Sequence, residues 1–486
     1  MAFVTTTDLI PLIPELILLG AAFVVLLLDL FAPGSQRTTL AVTTIVGFVI
    51  ALVAEIQLLD SGATGFYGTI VADGFSILFE SLYLVIGILT VLLSLHYLDD
   101  HGIGFGEYYV LLITAVVGMM FMTSSLELLV IFIGLEIMSI SSYILVGIRR
   151  RVPESNEAAL KYLLLGAFST GFLLYGISLL YGATGSIRIP EIVVALQEPG
   201  ALNNPLAIIG VALIIIAMGF KVAVVPFHMW TPDVYSGAPT PVTAFLSAAA
   251  KAAGFAMFVR VLLTGIPLEA ELWKDLFWAI AVLTMTVGNV MALMQNSVKR
   301  MLAYSSVAHA GYIMVAVVVG TPAALSSVIF YSCAYAVMGT GAFGILTVRH
   351  FGKTPDSYDD LAGYARYKPC LAFLMSVFML SLIGLPLTGG FIGKLQIFQA
   401  ALEEGWVWLT VIGLLNSALS VYYYLRVVVC LYMREGSVPD GAVLEVAESP
   451  GFALTGLVGA ASVVVYLGVF PQTLLELAAS SVSTLF

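Results

Sequence analysis

IAMGFKVAVVPFHMWTPDVYSGAPTPVTAFLSAAAKAAGF, residues 216–255, decides the reading of this chain. Lys221 stands five residues before Pro226 inside one apolar segment, a run of turn residues follows, and Lys251 falls in the middle of the next segment. A cation at mid-bilayer depth costs at least about 2.5–3.5 kcal/mol on insertion scales, so such side chains face a bundle interior or a water-filled path. Proline inside a helix removes a donor and frees a carbonyl, which in a membrane must find another partner. Two lysines flanking a broken helix mark the place where ions would move.

Composition sets the class. Of 486 residues, 60% are hydrophobic and 10% charged, against about a quarter charged in a soluble domain, and the mean hydropathy is +1.05. The chain is a polytopic membrane protein. A net charge of −11 argues against nucleic acid or anionic lipid headgroups as main partners, with the lipid bilayer as the surroundings. Cys333, Cys370 and Cys430 lie far apart without CxxC spacing, and the five histidines form no evident haem pair. Neither a metal site nor a cofactor site is expected in this chain.

Apolar runs of roughly 17–25 residues, the length that spans a bilayer as a helix, fall near 9–31, 39–59, 74–97, 108–124, 126–148, 156–182 and 205–225. The second half continues with 239–264, 277–294, 300–319, 323–348, 369–402, 405–430 and 451–470. The expected fold is all-α, with about fourteen transmembrane helices. The first carries Asp8, Pro11, Pro14, Glu15 and Asp29 without a basic start, and reads as a mature helix and not a signal peptide. The distribution of Lys and Arg fixes the expected orientation. With the Arg149–Arg151 loop cytoplasmic, alternation puts Arg37, Lys299, Arg300, Arg349, Lys353, Arg366, Lys368 and Arg434 on the same side. Arg188, Lys274 and Arg260 go to the other side, and both termini fall outside the cytoplasm.

Four lysines remain inside spans: Lys161, Lys221, Lys251 and Lys394. Glu136 joins them, ten residues into its own span, about 15 Å along the axis at about 1.5 Å per residue and therefore near the midplane. A buried glutamate with buried lysines points to an ion pair. Burial and pairing act in opposite senses on a proton affinity, so making or breaking the pair moves that affinity. Lys394 lies in MLSLIGLPLTGGFIGKLQIFQAAL, where Pro386, Gly389 and Gly390 interrupt a segment too long for one span. The interrupted segments are the seventh and twelfth, five apart, which fits two inverted five-helix repeats, helices 4–8 and 9–13, with the ion path at the breaks. The expected divisions are 1–107 (three helices), 108–264 (repeat one), 265–432 (repeat two) and 433–486 (loop, last helix and tail).

Plainer roles stand beside these. Lys161, about five residues inside its helix, has the reach to snorkel. Lys251 lies among small residues in SAAAKAAG, a packing face that also leaves room for water. His228, just after the first break, suits either a proton relay or a cap on backbone freed by Pro226. His309, with Tyr304, Ser305 and Ser306 nearby, belongs to a hydrated chain on this reading, while Glu127, Glu15 and Glu55 sit near interfaces and need no functional reason.

The block GFKVAVVPFHMWTPDVYSGAPTPVTAFLSAAAKAAGF, with GLEIMSISSYILVG, SNEAALKYLLLGAFSTGFLLYG and QNSVKRMLAYSSVAHAGYI, resembles the N-type antiporter-like subunits of respiratory complex I, proton-translocating NADH:quinone oxidoreductase. The similarity runs from about residue 70 to 430. Its superfamily also holds the Mrp-type cation/proton antiporters. Leu135 precedes Glu136 where the L-type, M-type and Mrp chains usually have Trp, and no long lateral helix follows the last span. The cyanobacterial and plastid ferredoxin:plastoquinone homologue shares much of the same pattern.

The resemblance implies that Glu136 and Lys221 pair on helices five and seven. Lys251 would be the connecting lysine of helix eight, Lys394 the lysine of broken helix twelve nearer the exit, and Lys161 a further intramembrane lysine, with His228 at a position where N-type subunits carry histidine. It also implies a translocase whose NADH, FMN, iron–sulfur clusters and quinone belong to partner subunits. Those partners would include M-type and K/J-type neighbours and the lateral helix of the L-type subunit, in a bacterial plasma membrane.

Overall fold

A computed structural model describes residues 6–31, 37–59, 61–103, 106–263, 271–348, 355–435 and 451–485. Of the cations used for orientation, Arg349 and Lys353 lie outside the described residues. The first six spans are α1 (Ile13–Phe31), α2 (Arg37–Leu58), α3 (Gly74–Asp100), α4 (Glu107–Ser124), α5 (Leu128–Val146) and α6 (Pro153–Thr184). The seventh is broken into α7a (Pro205–Val222) and α7b (Trp230–Gly237), and α8 follows (Thr240–Leu263). Then come α9 (Glu271–Leu293), α10 (Val298–Val319) and α11 (Pro322–Ile345), and the twelfth span, broken into α12a (Pro369–Ile383) and α12b (Gly389–Glu403). The chain closes with α13 (Val407–Met433), α14 (Gly451–Val469) and a twelve-residue helix, α15 (Gln472–Ser483), too short to span.

Thirteen of these helices are long and apolar enough to cross a membrane, and the halves of the twelfth span complete the fourteen expected. Local signals set their ends. Asp73 accepts from Ser76 N in a capping box that opens α3, Asn204 caps α7a, and Ser297 and Thr321 cap α10 and α11. Proline enters at the first turn of α6, α7a, α11 and α12a, where its missing donor costs nothing.

The two breaks differ in how they satisfy backbone. Before Pro226 the chain leaves the helix at Ala223, in the left-handed region with φ 61°. Trp230 Nε1 donates to the Phe220 carbonyl at 3.0 Å, and Val225 N donates to Thr284 Oγ1 of α9 at 3.0 Å. At the second break Gly384 closes α12a with φ 89°, a conformation that suits glycine, and its amide returns to the Leu380 and Ser381 carbonyls.

α8 and α11 are enclosed on all sides and α10 almost so, which puts the residues after the first break at the centre. Close approach tightens the flanks. A Cβ on Gly118 of α4 would fall 2.6 Å from the Gly134 carbonyl of α5, so two glycines let these backbones touch and fix the helix carrying Glu136. One sequence assignment is corrected here. Arg260 is not a surface cation: it is 2% exposed inside α8, donates to both carboxylate oxygens of Asp73 at 2.6 and 2.9 Å and through Nε to the Thr123 carbonyl. Guanidinium geometry suits this bidentate pairing, which satisfies a charge that hydropathy alone would send to water.

Candidate functional site

Lys221 occupies the last turn of α7a and is 5% exposed. Its ammonium donates to Ser139 Oγ of α5 at 2.6 Å, and Ser139 Oγ donates back to the Leu135 carbonyl. Glu136 lies three residues before Ser139, on the same face of α5. Its carboxylate acts on Lys221 through space, but no ion pair within 4 Å joins them among the described residues. The pair expected from sequence is therefore not closed: the ammonium is held by the Ser139 hydroxyl, three residues from Glu136 on α5. Glu136 Oε1 itself is buried with no hydrogen-bond partner. Tyr162 lies under the ammonium at 5.9 Å and stacks on Trp230, so the ring that walls the lysine is backed by the tryptophan that closes the break.

Lys251 follows a π-helical turn, Leu246–Ala250, and is 3% exposed. Such wide turns concentrate at functional places in helices. Its ammonium donates to the Ser306 carbonyl at 2.6 Å and to Ser306 Oγ at 2.8 Å. One turn on, Gly254 lets α8 close on α7a: a Cβ there would lie 2.9 Å from Val222 Cγ1 and 3.7 Å from Lys221 Cβ. The two lysines thus sit on helices in direct contact.

Beside the Lys251 contact a second polar cluster begins at the next residue of α10. Ser305, next to Ser306, shares a hydrogen bond of 2.5 Å with Tyr424 OH of α13. Tyr424 OH lies 2.9 Å from His309 Nε2, and His309 Nδ1 lies 2.6 Å from Tyr331 OH of α11. His309 is 1% exposed, with both ring nitrogens engaged by hydroxyls able to donate or accept. Its ring also meets Tyr312 edge-on, and Tyr312 lies beneath the Lys394 ammonium at 4.8 Å.

Lys394, on α12b, reaches back across the break to the Leu382 and Ile383 carbonyls at 3.0 and 2.9 Å and to Ser417 Oγ at 3.0 Å. These are the carbonyls a helix end leaves without partners, and a cation there is favoured by the helix dipole. A cavity of about 450 Å³ begins at Lys394 and Ser417 and runs past Leu395, Leu402 and Leu414. Those three leucines are each 46–53% exposed, so the cavity reaches the surface of the bundle.

The other candidates stand apart. Lys161 is 42% exposed and pairs with Glu157 at 2.8 Å and Asp233 at 2.7 Å, while Arg300 holds the second Asp233 oxygen at 2.9 Å. It lies inside the span of α6 as expected, but half-exposed, tying α6 to α7b and not meeting the buried lysines. His228 is half-buried in the loop after Pro226, and its Nδ1 has no hydrogen-bond partner. Ser139, Tyr331 and Tyr424 were missed at the sequence level, because nothing in their local context separates them from other hydroxyl residues on apolar helices. His350 lies outside the described residues.

Residues 125–420, which include all of these groups except Tyr424, match the family described as NADH:quinone oxidoreductase/Mrp antiporter, TM. NADH-quinone oxidoreductase subunit N of Trichlorobacter lovleyi is 44% identical, with 98% of this chain and 97% of that protein aligned. The chain belongs to this family, in its subunit N group.

Other members of the NADH:quinone oxidoreductase/Mrp antiporter family extend the comparison to structure. A chain of respiratory complex I from Thermus thermophilus with bound aureothin superposes with a TM-score of 0.81 at 34% identity, over 96% of this chain and all of that one. The Mrp complex from Dietzia sp. DQ12-45-1b gives 0.85 at 20% identity over 99% and 98% of the two chains, a likeness of fold. The first four spans precede the family match, and the first three of them hold three buried carboxyls, Glu15, Glu55 and Glu80, each at most 4% exposed and each with at least one oxygen lacking a hydrogen-bond partner. The sequence reading had left Glu15 and Glu55 at the interface; they face inward.

Proposed function

We propose that this chain is a proton-translocating membrane-arm subunit of an NADH:quinone oxidoreductase, and that the proton path runs Glu136, Ser139, Lys221, Lys251, His309, Lys394. The observation that carries this reading is the run of buried donors and acceptors from Lys251 through Ser306, Ser305, Tyr424 and His309 to Tyr331. It leads by Tyr312 to a lysine set on a half-helix end beside a cavity that reaches the bundle surface. An intramembrane cation is retained where ions pass, and discontinuous helices supply such sites in transporters. Hydroxyl and imidazole groups in series pass a proton by exchanging donor and acceptor roles, because each can do either.

In this mechanism a charge change in a neighbouring subunit alters the field at Glu136, whose open oxygen lies at the start of the path. The change reaches Lys221 through space, while Ser139 fixes the ammonium, and shifts its hold on the proton. The proton then moves over Lys251 and the His309 cluster to Lys394 and leaves by the cavity there. NADH, FMN, iron–sulfur clusters and quinone belong to partner subunits, with M-type and K/J-type neighbours and the lateral helix of the L-type subunit alongside. The membrane is a bacterial plasma membrane, with the Arg149–Arg151 loop cytoplasmic and both termini outside. Residues 108–264 and 265–432 act as the two repeats. Lys161 and His228 serve at the edge of the path, as an inter-helix tie and a relay at the first break.

The test is to tag this chain, purify what assembles with it, and ask whether the preparation oxidises NADH with quinone while acidifying vesicles. Lys221→Ala is expected to abolish acidification. NADH oxidation and pumping both intact in that variant would refute the path. A chain from Trichodesmium erythraeum named NAD(P)H-quinone oxidoreductase subunit 2 is 43% identical over 87% of this chain, so NADPH is a further donor to try; activity with ferredoxin alone would move the chain to the ferredoxin:plastoquinone branch. Sodium-dependent proton exchange without redox activity would instead assign the chain to an antiporter.

A further inference from the structure

A second cavity, of about 810 Å³, lies away from the lysines, between α3, α11, α14 and α15. Its walls are aliphatic: Ile77, Leu78 and Leu82 from α3, Val337 from α11, Leu467 from α14 and Leu474 from α15. Its rim is Leu59, Val85, Val463 and Leu477, all 37–43% exposed, so it opens sideways from the bundle and not only to water. Polar groups gather at one end. Asp73 at the cap of α3 stands there with Ser480, Ser481 and Thr484, and a Cβ on Gly74 would lie 3.3 Å from Ser481 Cα, which places the hydroxyl-bearing end of α15 at the start of α3. A further space of about 420 Å³ adjoins this end, sharing Gly62, Ala72, Asp73 and Thr484 and reaching Arg260.

We infer that this cavity binds one phospholipid, an acyl chain between α3 and α14 and the headgroup in the adjoining space beside Asp73, Arg260 and Thr484. Three features choose a lipid over a soluble ligand. The opening faces sideways, where hydrocarbon surrounds a membrane-spanning bundle. The depth fits: from Gly74 to Val85 of α3 is about 16 Å at about 1.5 Å per residue, half of a hydrocarbon core of about 30 Å and so one leaflet. The polarity runs in the order of a lipid, with hydroxyls and a charged pair at the α3 cap and mainly aliphatic groups below, with Ser81 and Cys333 among them. α15 is the element that makes this possible, because it is too short to span and turns Leu474 and Leu477 into the cavity while Ser480 and Ser481 stay at its polar end. The inner wall is α11, where Cys333 and Val337 line the cavity on the helix that also presents Tyr331 and Tyr335 to His309. A bound chain therefore braces the helix that holds the histidine.

The experiment uses the assembled complex in membranes containing a phospholipid with a photoreactive diazirine on one acyl chain, followed by mass spectrometry of the labelled peptides. Adducts are expected between Ile77 and Val85 and on the 333–337 turn of α11. Val337→Trp, which fills the inner end, is expected to reduce that labelling by about tenfold, while Val24→Trp on the exposed face of α1 leaves it as it was. Val463→Trp, at the half-exposed rim, repeats the test if Val337→Trp fails to assemble. Labelling unchanged by the tryptophan variants, or cross-links from the cavity to another protein chain in place of lipid, would overturn the proposal.

Discussion

Lys394 and Ile383 stand on opposite sides of the break in the twelfth span, yet the lysine ammonium donates to the Ile383 carbonyl at 2.9 Å. Lys221, on the other side of its own proline in sequence, also ends up in the last turn of a half-helix. The mismatch in sequence order disappears in space: both lysines stand where a half-helix ends.

Lys394→Met removes the donor to two carbonyls and to Ser417. The expected outcome is a complex that assembles, loses about 1–3 kcal/mol of local stability and pumps protons poorly. Acidification of vesicles, normalised to quinone reduction, measures it, and full coupling in this variant would remove Lys394 from the path.

Ser139→Ala breaks the bridge between α5 and Lys221 without touching either charge. Coupled turnover is expected to fall about tenfold, the effect of about 1.4 kcal/mol, with Ser139→Thr restoring most of it. Combining Ser139→Ala with Glu136→Gln supplies a double-mutant cycle. Purely additive effects would show that Glu136 does not act through Ser139.

Tyr424→Phe deletes the hydroxyl that joins Ser305 to His309 and leaves the ring packing in place. Proton flux is expected to drop severalfold, with a larger solvent deuterium effect than in the unaltered chain, because a transfer step becomes slower. Flux and isotope effect both unchanged would mean that protons bypass His309 through water.

Arg260→Ala leaves Asp73 without its partner beside the cap of α3. Breaking a buried pair costs about 3–5 kcal/mol, so the expected result is loss of assembled complex on native gels. Lys161→Gln, by contrast, touches a partly exposed pair worth about 0–1 kcal/mol, and assembly and pumping are expected to remain near normal.

Much of this was legible because the membrane enforces it. A charge within an apolar run has few ways to be tolerated, so Lys221, Lys251 and Lys394 announce themselves, and Pro226 and Gly389–Gly390 announce the breaks. Lys161 and Arg260 show the limit. Each was placed by its distance from a span end, whereas Asp233 and Asp73, 72 and 187 residues away in sequence, decide where they rest. The hydroxyls of Ser139, Tyr331 and Tyr424 were invisible for a related reason. A hydroxyl on an apolar helix commonly bonds its own carbonyl one turn back, as Thr90 does with Ile86, and only the tertiary arrangement singles out those that reach another helix.

Under the proposed mechanism, the half-helix end that Lys394 contacts also bears on how the site recovers after each cycle. A helix C-terminus carries about −0.5 of an elementary charge, and that charge is built from peptide carbonyls which never titrate. Once the ammonium has given up its proton, the Leu382 and Ile383 oxygens remain as a fixed negative spot facing a neutral amine. The site is then recharged by its own backbone: the next proton is drawn in by a field that has not changed, and no mobile anion has to arrive to call it back.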